Sequence, residues 1–167
     1  MQRPKTAAPD SLRLSAWLPY RLFIIAARIA RPLETFYGER FGLSQAAWRI
    51  LAIIAERAGA SASEIGQACA LDPFAVSRGI GQLVERGFAR RTAARADRRF
   101  AAVSITARGR AAFDEIAALG RVIETDLLAS LSDAEREILD GLLRNLEGES
   151  AGIESAGWRS LQERAAR

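Results

Sequence analysis

The stretch from Ala70 to Thr106 constrains this chain most, because within it the hydrophobic period changes and the positive charge peaks. Asp72 followed by Pro73 is a strong helix start. An aspartate oxygen caps free backbone N–H groups, and a proline at the first helical position gives up an N–H that would lack a partner anyway. Val76, Ile80, Leu83 and Val84 then recur at three- and four-residue steps, which predicts a helix closing at Gly87. Beyond Gly87 the period falls to two. Phe88 to Thr92 and Phe100 to Thr106 predict two short strands around a small polar loop, residues 93–98. Upstream, Ser61 with Glu64 three positions on forms a capping box that opens a helix over about 62–69. Two helices joined by a short turn and followed by a hairpin outline a helix-turn-helix with a wing.

The flanking sequence is helical in pattern. Leu18, Leu22, Ile25, Ile29, Leu33 and Phe36 mark one face of a long helix, with Pro32 expected to kink or restart it. Ser44 caps a second helix carrying Trp48, Leu51, Ala52 and Ala55, which Gly59 is expected to end. From Ala107 to about Ser130, Phe113, Ile116, Leu119, Ile123, Leu127 and Leu128 predict another long helix. Ser132 and Glu135 cap a last one, with Ile138, Leu142, Leu143 and Leu146, expected to stop at Gly148. The predicted fold class is therefore mainly α with a small β-hairpin wing. Residues 1–14 read as a flexible arm, 15–148 as one domain with the winged helix at about 44–106, and 149–167 as an arm or short helix.

Charge narrows the function. Residues 86–110 hold eight arginines against the single Asp97, a net charge of +7. Residues 111–150 hold ten acids against three arginines, a net charge of −7. A cationic block beside an anionic one suggests that one part meets a polyanion and the other is held away from it. The chain has no histidine, which removes the common zinc sites and His-based triads. It carries no phosphate loop and no clustered nucleophile, so an enzyme is a poor reading, and no cofactor or metal is expected. Its most apolar run, Leu22 to Ala30, is interrupted by Arg28 and is too short to span a membrane, and no signal-peptide pattern opens the sequence. A single cysteine, Cys69, suits a reducing compartment, so a cytoplasmic location is expected.

On the helix after Asp72, the residues not committed to the apolar face include Phe74, Ala75, Ser77, Arg78 and Gln82. Small and hydrogen-bonding side chains near a helix N-terminus are what major-groove reading requires. Arg78 can take guanine bidentately, and Phe74 or Ala75 can touch a thymine methyl. Gly79 and Gly81 each cost the helix roughly 1 kcal/mol relative to alanine, so they are expected to mark close approach to a phosphate backbone. Arg90, Arg91, Arg95, Arg98 and Arg99 then place five cations on a hairpin too short for its own core, suited to lie along phosphates and to enter a narrow minor groove.

These motifs carry a family resemblance. Over about Leu14 to Leu146 the chain resembles MarR-type winged-helix regulators, on the segments ALDPFAVSRGIGQLVERG (70–87), Phe88 to Arg91, and ADRRFAAVSITARG (96–109). The resemblance implies that Arg98 or Arg99 enters the minor groove while Asp97 positions a neighbouring arginine. It also implies a homodimer made by terminal helices, about 15–40 and 107–148, reading a pseudo-palindromic site on double-stranded DNA. The acidic, apolar-striped stretch 111–150 suits such an interface on its own terms.

Many similar regulators release DNA on binding a small aromatic or anionic effector. Trp17, Tyr20, Arg21, Arg28, Trp48 and Arg49 combine aromatic surface with cations and are the candidate lining of such a cleft; core aromatics and surface arginines are the alternative. Cys69 is read as a small buried thiol rather than a redox sensor. The competing function is a winged helix that binds protein without specific DNA recognition. Salt separates the two, since phosphate contacts weaken steeply as salt rises.

Overall fold

The computed structural model describes residues 12–92 and 102–166. It contains α1 (Leu18–Phe41), α2 (Gln45–Glu56), α3 (Ala62–Cys69), α4 (Pro73–Glu85), β1 (Ala89–Thr92), β2 (Ala102–Ile105), α5 (Ala107–Leu127) and α6 (Asp133–Ala165). This is the mainly helical winged architecture expected from the periodicities. The chain divides into two compact units, Met1–Arg121 and Val122–Arg167.

The first unit is built around α2. Its Ile50, Leu51 and Ile54 are fully buried and meet Ile65 of α3, Ile80 and Leu83 of α4, Val103 of β2 and Ile116 of α5. The helix starts follow the sequence signals. Ser44 Oγ accepts from Ala47 N–H at 3.3 Å, and Ser61 and Ser132 each form a reciprocal capping box with Glu64 and Glu135. Ala70 takes a left-handed conformation, φ 49°, to turn the chain between α3 and α4, and Leu71 N–H bonds back to Gly66 O at 3.0 Å.

The wing is an antiparallel pair with Ala89 opposite Ile105, Arg90 opposite Ser104, Arg91 opposite Val103 and Thr92 opposite Ala102. Val103 N–H also donates to Ala60 O at 2.9 Å, fastening the hairpin to the turn before α3. At the far end of β2, the Thr106 hydroxyl donates to Gly87 O at 2.7 Å and accepts from Gly109 N–H at 3.0 Å. One side chain thus closes the strand and caps α5.

α1 carries the exposed Pro32 inside its span. Two boundaries differ from expectation. α2 ends at Glu56, three residues before Gly59, which makes the following turn at φ 78°. α6 continues past Gly148 to Ala165 and is broken only at Gly157, where φ is 69° and ψ is 163°. A glycine costs a helix about 1 kcal/mol but does not forbid it, and Gly148 lacks the left-handed backbone that would end one. Residues 149–156 therefore continue the helix past Gly148, and a further helical stretch follows the break at Gly157, in the region expected to be an arm or short helix.

Candidate nucleic-acid interface

The start of α4 is rigidly made. Asp72 Oδ1 accepts from the backbone N–H groups of Phe74 and Ala75, both at 2.9 Å. Val76, Ile80 and Leu83 anchor the inner face. The outer face presents Phe74, 70% exposed, with exposed Ser77 and Arg78 and half-buried Ala75. The Arg78 guanidinium lies over the Phe74 ring, 5.5 Å from its centroid, so the cation is held over an aromatic plate at the helix's leading end. A buried apolar side and an exposed side ending in arginine are what a groove-entering helix needs.

Two residues of this helix do other work. Gly79 is buried against α2: a Cβ there would stand 2.5 Å from Ile50 Cδ1 and 3.4 Å from Ala47 N. It therefore serves close packing of α2 and α4, not approach to phosphate, whereas Gly81 is exposed with open space around it. Gln82 is turned inward as well. Its Oε1 accepts from Ser44 N–H at 3.1 Å and from Ser44 Oγ at 2.8 Å, while its Nε2 donates to Gly42 O at 3.0 Å. Both ends of its amide are engaged within the fold, unlike the side chains of Phe74, Ser77 and Arg78.

In the wing, successive side chains point to opposite faces. Arg91 shares its face with Val103 and lines a groove of about 590 Å³ between α3, α4 and the hairpin, together with Ser61, Gly66, Leu71, Ser77 and Ile80. Arg90 projects on the other face, opposite Ser104. Both arginines are exposed. Other arginines of the basic block act inside the fold. Arg108 stacks on Phe88 at 5.2 Å, and Arg110 stacks on Phe113 and donates to Ala55 O. The expected wing-tip residues Arg95, Asp97, Arg98 and Arg99 lie outside the described residues.

The six expected effector residues do not form one site within the chain. Trp48 is sandwiched between Tyr37 and Phe113, with centroids 5.9 Å away on both sides, and belongs to the packing of α1, α2 and α5. Arg49 Nη1 donates to Cys69 O at 3.5 Å. Trp17, Tyr20, Arg21 and Arg28 are exposed around the first half of α1. Tyr20 is 17 residues from the Tyr37 that touches Trp48, about 25 Å along a helix. Sequence reasoning missed the groove lined by Ser77 and Arg91, because it is assembled from three elements distant in sequence. It also missed Thr106, although a threonine immediately before a helix is the same capping signal read at Ser44.

Among the described residues, no group of three or more side chains is placed to hold a metal ion, and no helix is long and apolar enough to cross a membrane.

Two short helices, the second exposing a polar and aromatic leading face, followed by a two-stranded hairpin, define a winged helix-turn-helix protein. The chain belongs to the MarR family of DNA-binding transcriptional regulators, whose family model matches residues 41–99. It is 33% identical to a putative transcriptional regulatory protein for the hcr operon of Thauera aromatica, over 71% of this chain and 69% of that one. It is 29% identical to an uncharacterized HTH-type transcriptional regulator of Bacillus subtilis, YwaE, over 87% and 86%. A MarR-family regulator from Silicibacter pomeroyi superposes with a TM-score of 0.72 at 25% identity, covering 80% of this chain and 90% of that one. These relatives are regulators of transcription, not enzymes.

Proposed function

We propose that this protein is a sequence-specific, effector-responsive repressor that acts as a homodimer on a pseudo-palindromic DNA site. The observation that carries the reading is the leading face of α4. Phe74, Ser77 and Arg78 stand exposed on a helix whose other side is welded to the core, beside a wing root that projects Arg90 and Arg91. In the complex, α4 lies in the major groove, with Arg78 taking a guanine edge and Phe74 and Ala75 against thymine methyls. Arg90 and Arg91 bind phosphates. Arg95, Arg98 and Arg99, with Asp97, extend the cationic wing on the strength of their charge.

Self-association is supported by surfaces that water alone would not leave bare. α6 runs 33 residues without one buried residue, yet it carries Ile138, Leu142, Leu143 and Leu146, all more than 40% exposed. Leu18, Leu22, Phe23 and Ile25 of α1 are exposed in the same way. Contiguous apolar helix faces mark association sites. The charges agree with a second copy as the partner: Leu12 to Leu33 carries Arg13, Arg21, Arg28 and Arg31 with no acid, against the −7 of residues 111–150. Twofold pairing would set two α4 helices one DNA turn apart, about 34 Å.

The effector enters the groove between α3, α4 and the wing. Apolar Leu71, Ile80 and Val103 with the cation of Arg91 suit a small aromatic anion. Ser77 and Arg91 would then be withdrawn from DNA. Two fold neighbours support the chemistry: Bordetella bronchiseptica BpsR is regulated in DNA binding by 6-hydroxynicotinic acid, and Rhodococcus jostii CouR is bound to p-coumaroyl-CoA. At 23% and 21% identity they share the fold.

Footprinting on the DNA upstream of its own gene, followed by a salt series, tests the reading. A protected inverted repeat with affinity falling steeply in salt is expected. Binding that is indifferent to salt and sequence would overturn it. Aromatic carboxylates added to the complex should release DNA from the wild type and fail to do so from Arg91→Ala protein.

A further inference from the structure

We infer that Gln82 is a positioning residue that clasps the α1–α2 corner and thereby sets the pitch of the recognition helix. The inference rests on α4 being that helix, as proposed above.

The corner is where two helices end against each other. α1 closes at Gly42 in a left-handed conformation, φ 61°, with Leu43 N–H returning to Tyr37 O at 3.2 Å. α2 starts two residues later at its Ser44 cap. A helix end leaves carbonyls without partners and a helix start leaves N–H groups without them. Here the Gly42 carbonyl and the Ser44 N–H are both satisfied by one amide on a third helix, through the three bonds of Gln82. A carbonyl on one side and an N–H on the other admit only one orientation of that amide. Arg86, one turn further along α4, reinforces the grip: its guanidinium lies over Gly42, so that a side-chain carbon there would sit 2.6 Å from it. Glycine adopts the positive φ there without a side chain that would push the guanidinium aside.

The consequence is geometric. α4 is held to α2 along its length by Ile80, Leu83 and the Gly79 contact, apolar contacts that impose no directional constraint on its tilt. A polar clasp at the carboxyl-terminal part of α4 removes that freedom, because hydrogen bonds, unlike apolar packing, are directional. The leading residues Arg78, Ser77 and Phe74 lie from about one to two turns from Gln82, so a small tilt at the clasp moves them all together relative to the base edges. The same clasp ties α4 to α1, the helix proposed to enter the dimer.

Gln82→Met keeps the length and shape of the side chain and removes the amide. Ser44→Asp breaks the clasp from the other side, since aspartate still caps α2 but presents a carboxylate to Oε1. For both variants the expected results are a melting transition still cooperative, amide exchange at Gly42 to Ser44 faster by about tenfold, and specific DNA affinity weaker by roughly tenfold. The loss should be spread evenly over the half-site in a scan of single base substitutions, with the salt slope unchanged. A relaxed preference confined to one base pair would mean that Gln82 reads a base and would overturn the clasp, as would wild-type exchange at the corner. Should the wild-type protein select no DNA site at all, the proposed function fails, and the exchange measurement still decides the clasp.

Discussion

Arg78 shows how far a single residue can be read. Its place, one turn after an Asp-Pro helix start, marks it in the sequence, and it stands exposed over Phe74. Because nothing in the core depends on it, Arg78→Ala should leave the melting temperature unchanged while weakening specific binding by about 1–3 kcal/mol, measurable by fluorescence anisotropy. Gln82 and Gly79 show the limit. By spacing alone they share the outer face with Arg78, yet one is spent on the α1–α2 corner and the other on contact with Ile50. Helical periodicity tells which way a side chain starts, not what a neighbouring helix places in front of it. Cys69 is the converse case, read as buried and found so. Burial raises its thiol above the ordinary range, an effect that nearby Arg49 opposes only in part, so the unreactive thiol form predominates at neutral pH. Alkylation by iodoacetamide should be slow at pH 7, accelerate only at higher pH than for a free thiol, and peroxide should leave DNA binding intact.

Among the elements, helix starts were more legible than helix ends. Asp72-Pro73 and the two capping boxes use local side chains within three residues, so the sequence contains both partners of each bond. Ends depend on whether a glycine adopts left-handed backbone, which Gly42 does and Gly148 does not. The capping boxes also carry a pH dependence. Glu64 and Glu135 are held below the ordinary glutamate range by hydrogen bonds from the backbone N–H, then the hydroxyl, of Ser61 and Ser132. A folded pKa below the unfolded one stabilises above the ordinary range, and that contribution is lost as pH falls through the folded value. The Ser61 and Ser132 amide resonances should therefore titrate at acid pH below where free glutamate does. Glu64→Gln, which can still complete the box, should abolish the first titration and leave the second.

For the whole molecule, what the sequence could not convey is assembly. The expected effector set of Trp17, Tyr20, Arg21, Arg28, Trp48 and Arg49 was gathered from nearness in sequence, whereas α1 carries Tyr20 about 25 Å along the helix from the Tyr37 that stacks on Trp48. The groove lined by Ser77 and Arg91 arises from the meeting of α3, α4 and the hairpin, which no local pattern encodes. The dimer reading makes a separate claim on the exposed apolar stripe. Leu142→Asp with Leu146→Asp should convert the protein to a monomer by analytical ultracentrifugation and weaken binding to a full inverted repeat far more than to an isolated half-site.

The stacking of Trp48 between Tyr37 and Phe113 gives the molecule a built-in optical probe. Its other two tryptophans, Trp17 and Trp158, are 44% and 66% exposed and should emit at longer wavelength and yield readily to acrylamide. Trp48 should emit to the blue and resist quenching. Stern–Volmer plots should therefore curve downward, and the curvature should vanish in Trp48→Phe protein. Because that indole is wedged among three helices, a rearrangement of α1 against α2 and α5 on effector or DNA binding would be registered in the protected fraction of the emission, without any label being introduced.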